Sequence, residues 1–367
     1  LFIGYGGRTK MDKRVDSNLL LDMSGMLNDI GFNLDDELGV ANMAEYHYDD
    51  GAVYGFPTKY ENSRWILINE DMFKEAGLDI PYDGWTYSEF LADAEKLTHG
   101  EDQDKVYGVC WARKQSGKSI LYALDGVLGA NQIYKNEEGT EVNFDNDVYR
   151  AGFNLVKETL DKGYAIPIED EFSEDISVAN TFLQGKCAIM LGVAQMRLCM
   201  DQENYPHDFT TALVPAPVPD DEKYNTEFYR KQIGTTGAGD LLSISANTKY
   251  PEASFEFAMW YLKGGMSPLV QGGRIPLWNG VNKDEVLSVL KEKAQGSIDM
   301  DSMENYLSLD TTQGVAAIKG HASSEISSAW FEEFDAMCYG KQSVDQTVQN
   351  MEKRGNELIQ TELSSQK

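Results

Sequence analysis

Histidine, cysteine, proline and positive charge are all scarce in this 367-residue chain. Its four histidines, His47, His99, His207 and His321, meet neither Ser-His-Asp nor His-Glu-x-x-His spacing, so the common local signatures of hydrolases and zinc proteases are missing. Its four cysteines, Cys110, Cys187, Cys199 and Cys338, include no Cys-x-x-Cys and none sits at metal spacing from a histidine. Two disulfides are possible and the sequence establishes neither; Cys187, followed by Ala188, Ile189 and Met190, reads as a small apolar core residue. Lys and Arg number 32 against 60 Asp and Glu, a net charge of −28, and that field repels phosphate backbones, so no nucleic-acid partner is expected. No apolar run approaches the roughly 20 residues that span a bilayer. Asp145 with Asp147, and Asp299 with Asp301, have the alternating spacing of calcium loops but lack the glycine and distal Glu of the twelve-residue loop, so no metal is expected. Gly4-Tyr5-Gly6-Gly7-Arg8 does not meet the dinucleotide spacing, and no cofactor is expected.

What is present describes a globular α/β protein. At 42% hydrophobic and 25% charged residues the chain can bury a sizeable core, and its length suits about two or three domains of roughly 150 residues. The acids are dispersed, as in Asp35-Asp36-Glu37 and Glu169-Asp170-Glu171, and read as solvated surface. Short strand-like runs at 1–4, 65–68, 106–111, 188–191, 211–214 and 241–245 alternate with helical stretches near 88–97, 147–162, 252–263 and 344–363. That alternation predicts mainly parallel pairing. The proline-rich stretch 212–220 is expected as an extended surface segment.

The stretch from Asn69 to Thr98 is the best defined. Asn69 caps a short helix, Glu70 and Asp71 occupy its positive first turn, and Gly77 supplies a left-handed end. Thr86-Tyr87-Ser88-Glu89 then has capping-box spacing for a second helix whose Phe90, Ala94 and Leu97 share one face. The same residues resemble the sugar-binding branch of the extracellular solute-binding proteins that serve bacterial ABC importers, the group of maltose-binding protein. Supporting segments follow that family's order: Gly55-Phe56-Pro57 with Leu67-Ile68-Asn69; Thr181 to Met190; Ile244 to Ala253; Gly273-Arg274-Ile275-Pro276; and Gly340 to Asp345.

The resemblance implies a two-lobed periplasmic-binding-protein-like fold with a ligand cleft and three crossings, placed at 60–64, 234–239 and 281–285. One lobe would comprise 1–62 and 239–283, and the other 63–238 and 284–367. It implies a monomer outside the cytoplasm, periplasmic or lipid-anchored at the cell surface, that holds a sugar and passes it to an importer's membrane subunits without catalysis. A glycan-active enzyme, a sensor, or a binder of a non-sugar solute are the alternatives. Relatives place a further βαβα unit before this point, and Leu1-Phe2-Ile3-Gly4 opens as a strand without Met or leader, so the chain is expected to be a fragment.

A sugar site needs a flat aromatic floor and polar groups round its edge. Trp85 and Trp260 read as core. Trp111, Trp278 and Trp330 stand open between ligand stacking and packing, as does Trp65. Tyr60-Glu61-Asn62-Ser63-Arg64 combines an aromatic, a carboxylate, an amide and a guanidinium on a crossing, and the resemblance gives that segment ligand contacts; the plainer reading is a surface Glu61–Arg64 pair. Asp240, Arg274, and Tyr5 with Arg8 after the first strand complete the candidates. Where many relatives carry a stacking Trp two residues after a strand-ending glycine, Gly192 is followed here by Val193 and Ala194.

Overall fold

The computed structural model describes the chain except residues 5–6, 39–45, 49, 62–63, 114–132, 174–176, 193–194, 232–236, 266, 310–319 and 366–367. The chain forms two compact units. The first comprises Leu1–Asn62, Gly234–Lys293 and Leu309–Ala317; the second comprises Ser63–Ile233, Ala294–Ser308 and Ile318–Lys367. In this division the chain passes between the units at 62/63, 233/234, 293/294, 308/309 and 317/318.

The named strands are β1 (Phe2–Gly4), β2 (Phe56–Glu61), β3 (Trp65–Asn69), β4 (Tyr107–Cys110), β5 (Cys187–Met190), β6 (Thr211–Pro215), β7 (Gly237–Ser243) and β8 (Ile275–Pro276). They form two four-stranded sheets, β1-β7-β2-β8 in the first unit and β4-β5-β3-β6 in the second. Among them only β4 and β5 pair in parallel, which corrects the parallel expectation. Alternation implies parallel strands only when successive strands share a sheet through a crossover helix. Here β2 and β3 follow each other in sequence yet lie in different units, and β7 and β8 return to the first.

In the first unit, Leu241 and Leu242 of β7 and Phe56 of β2 pack against Phe255, Ala258 and Met259 of helix Pro251–Trp260. Trp260 does not join them: it is 57% exposed, beside an exposed Phe257 at 5.3 Å. At 100° per residue it sits about 140° round the helix from the face shared by Phe255, Ala258, Met259 and Leu262.

The second unit is built on β3, buried at every position between β5 and β6, as its unbroken apolar run demands. The expected caps form. Asn69 Oδ1 accepts from the Met72 N–H at 3.1 Å, and Thr86 and Glu89 cap each other reciprocally. Gly77 has φ +68°, the left-handed conformation that ends a helix. Trp85 is core, its indole N–H donating to the Pro215 carbonyl at 2.9 Å. The stretch 212–220, which begins inside β6, is extended but not superficial: Ala212, Val214, Ala216 and Val218 are wholly buried, and the Val218 carbonyl accepts the Tyr87 N–H. Cys187 is buried as expected but is joined to Cys110 by a disulfide rather than acting only as an apolar filler.

Helix Tyr87–Leu97 also carries a pH-sensitive acid. Burial pushes the Asp93 carboxyl from its ordinary 3.8 up to about 6, with Lys96 opposing and Glu89 and Asp79 reinforcing the rise. The folded protein therefore holds this proton more tightly than the unfolded chain, so the group weakens the fold progressively as pH rises from 3.8 through about 6. After discounting for solvent screening the loss is about 1 kcal/mol. Asp93→Asn is expected to raise the urea midpoint at pH 7.5 and leave it nearly unchanged at pH 4; an equal gain at both values would show that its proton is not involved.

Candidate functional site

In the first unit the strand register gathers candidates at one end of the sheet. Glu61 pairs with Gly237, Tyr60 with Ala238 and Ile275, and Gly4 with Leu241. The carboxyl ends of β1 and β2 thus adjoin the amino ends of β7 and β8. Tyr60 and Glu61 of β2 and Arg274, just before β8, come from two separated stretches of chain to this end, while Asp240 lies further along β7, between the Pro57–Leu241 and Lys59–Gly239 pairs and level with Thr58. Tyr60 is half-buried against the core, and Arg274 is half-buried. Arg8 lies in the first turn of helix Gly7–Asp16, four residues past β1. Only the backbone of Arg8, Glu61 and Asp240 is described, and Tyr5 and Asn62, like Val193 and Ala194, lie outside the described residues.

Trp278 stands apart from this group. The Leu277 N–H donates to the Thr58 carbonyl, so Trp278 falls beside the amino half of β2, about 13 Å of strand from Glu61. Its indole N–H donates to Glu37 Oε2 at 2.9 Å, and its ring lies so close to Gly280 that a Cβ there would stand 2.2 Å from Cζ2. Lys263 reaches 6.0 Å from the ring centroid. Trp278 is therefore fixed in orientation and only half-buried, which suits a platform.

The second-unit candidates are placed otherwise. Arg64 is 3% exposed, and its carbonyl accepts from the Ala216 N–H at 2.7 Å. Trp111 is 1% exposed, with its N–H bonded to Thr159 Oγ1 at 2.9 Å. Trp330 is 2% exposed, stacked on Phe334 at 4.9 Å and edged by Phe153 and Phe331. Between stacking and packing, the structure gives both tryptophans packing: an indole with one face on Phe334 and almost no exposed surface offers no open floor. Aromatic residues at helix spacing look alike in sequence whether they face the core or a ligand, which is why the two roles stood open.

A residue outside the candidate set does stand at an edge. Arg113, two residues past Trp111, clamps Asp335 with Nε and Nη2 at 2.7 and 2.9 Å and lies 4.2 Å over the Phe331 ring. Its only signal in the sequence was a cation directly after a strand end. Among the described residues no cluster of three or more His, Cys, Asp or Glu is arranged to hold a metal ion, and no helix is long and apolar enough to cross a membrane.

Solved structures share this arrangement of two α/β units. A sugar transporter from Rhizobium etli in an open conformation superposes with a TM-score of 0.69 at 17% identity, over 95% of this chain and 81% of that one. The sugar-binding protein MalE from Xanthomonas citri gives 0.68 at 17% identity, over 97% and 82%. An ABC substrate-binding protein from Listeria monocytogenes, in complex with cycloalternan, gives 0.68 at 16% identity, over 94% and 81%. The fold is thus that of the two-lobed periplasmic-binding proteins. The sequence pattern of one such family matches residues 1–263, and the chain belongs to the bacterial extracellular solute-binding proteins.

Proposed function

We propose that this chain captures a carbohydrate outside the cytoplasm and delivers it, chemically unchanged, to the membrane subunits of an ABC importer. The observation that carries this reading is the meeting of Tyr60, Glu61 and Arg274 at one end of the first unit's sheet, with Asp240 three residues further along β7 from the Glu61 pair, in a chain of a solute-binding family. An aromatic, two carboxylates and a guanidinium suit a sugar, whose hydroxyls both donate and accept while its C–H face packs on a ring. The sugar-binding and cycloalternan-bound neighbours support the same ligand class. Asn62 beside Glu61, Arg8 and Tyr5 after β1, and the fixed indole of Trp278 extend the set, and a monomer is the working unit. In this reading the protein is periplasmic or lipid-anchored and has no catalytic residue.

A thermal-shift screen against a glycan panel tests it, since a ligand at 100 times its dissociation constant adds about 2.7 kcal/mol to stability. Chromatography of the recovered sugar separates binding from turnover: shortened or rearranged sugar would establish an enzyme. Glu61→Ala and Asn62→Ala are each expected to weaken sugar binding by roughly 5- to 150-fold, the cost of about 1–3 kcal/mol for an unmet hydrogen bond, with little change in melting. Parent-like affinity in both variants would move the site elsewhere.

A further inference from the structure

The chain leaves the parallel pair β4 and β5 at a common end, because Cys110 stands opposite Met190. Such carboxyl ends are where open α/β sheets present ligand-binding side chains. There Ala112 adopts φ +53° although it has a Cβ and is 1% exposed. That left-handed conformation is unfavourable for a side chain-bearing residue and is kept where surrounding contacts over-determine it. Its consequence is the placement of Arg113 against helix Ser323–Cys338. Asp335 of that helix takes Nε and Nη2, Phe331 covers one face at 4.2 Å, Phe172 lies 5.7 Å away, and the side chain is 13% exposed. The guanidinium is thereby locked, and among the described residues its Nη1 edge donates to nothing.

Resting on the sugar-binding reading, we propose that the Nη1 edge of Arg113 donates to a ligand oxygen, and that Asp335 makes the second unit select neutral over acidic sugars. An unpaired guanidinium prefers a carboxylate or phosphate, which it grips with two parallel hydrogen bonds. Here that fork is already filled by Asp335, so an incoming anion meets a carboxylate in its place and, behind it, a chain of net charge −28. A hydroxyl or ring oxygen carries no charge to repel and needs only the remaining edge. Arg113 reads the ligand, while Asp335, acting through it, is a positioning residue.

The test uses the full chain and a panel of paired probes: maltotriose, xylotriose and diacetylchitobiose against digalacturonate, trigalacturonate and glucose 6-phosphate, measured by thermal shift and calorimetry. The expected parent binds neutral probes and rejects the acidic ones. Arg113→Met is expected to lower neutral-sugar affinity by about 10-fold or more, as loss of a hydrogen-bond donor to a ligand does, and Arg113→Lys to recover it only in part. Asp335→Asn frees the fork and is expected to shift the neutral-to-acidic preference at least about 10-fold towards the acids. A latch that only braces the fold would lower melting in these variants and leave affinity and preference unmoved, which overturns the proposal. So would an acidic probe binding the parent more tightly than every neutral one; that result leaves the carbohydrate reading standing. Absence of any sugar binding would remove that reading and this inference together.

Discussion

Trp330→Ala is expected to lower stability by about 3–5 kcal/mol, the range for removing a large buried aromatic. The indole is 2% exposed and touches Phe153, Phe331 and Phe334, so truncation leaves a cavity bounded by rings that helices Asp147–Asp161 and Ser323–Cys338 hold in place. Little can collapse into it. Trp260→Ala removes the same atoms from a side chain that is 57% exposed and should change stability by no more than about 0.5 kcal/mol. Urea midpoints of the two variants against the parent, at unchanged slope, make the comparison. If Trp260→Ala proved the more damaging, the placement of these two rings would be wrong. The indole N–H of Trp330 has no acceptor among the described residues, whereas those of Trp85 and Trp111 are bonded. Trp330→Phe should therefore be milder than Trp111→Phe by about one hydrogen bond, roughly 1 kcal/mol.

Local signals in the sequence were legible wherever a residue type has one physical use. Asn69 and Thr86 cap helices because a short polar side chain before an apolar period has few other roles, and both did so. Six strand-like runs became strands, and the inner ones, such as β3 and β5, are buried on both faces as their apolar continuity requires. Direction was not legible: a strand's sequence is the same whichever way its neighbour runs, so the antiparallel neighbours of β3 and β7 appear only in the register. Helix faces were half legible. Trp85 and Trp260 are both large apolar residues expected in the core, yet only Trp85 is buried, because the angle of Trp260 on its helix turns it away from Phe255 and Met259. At the candidate site, Tyr60 and Arg274 are 214 residues apart, and nothing short of the β2–β8 pairing brings them together. Arg113 was passed over because its partner, Asp335, lies 222 residues away and an isolated cation after a strand reads as surface.

Gly108→Val is expected to be at least as damaging as any truncation, by the opposite mechanism. Gly108 lies inside β4, where glycine weakens a strand unless another backbone comes close. One does: a Cβ there would stand 2.3 Å from the Ala94 carbonyl oxygen and 2.8 Å from its Cα, so helix Tyr87–Leu97 rests directly on the strand. Thr98 secures the approach, accepting the Gly108 N–H at 3.0 Å while its own hydroxyl donates to the Ala94 carbonyl at 2.7 Å. No rotamer relieves a clash with backbone. The helix must lift, which parts Phe90 from Trp111 and disturbs the strand whose next turn carries Arg113. Overpacking usually costs about 1–3 kcal/mol, and an obstacle of backbone places Gly108→Ala at the upper end and Gly108→Val beyond it. Gly25→Ala is the control, since no atom lies within 4 Å of its notional Cβ and its helical position should gain about 0.4–1 kcal/mol. Melting of all three variants decides the matter: a Gly108→Ala protein as stable as the parent would mean that helix and strand do not meet backbone to backbone. The Arg113 clamp would then lose its rigid support.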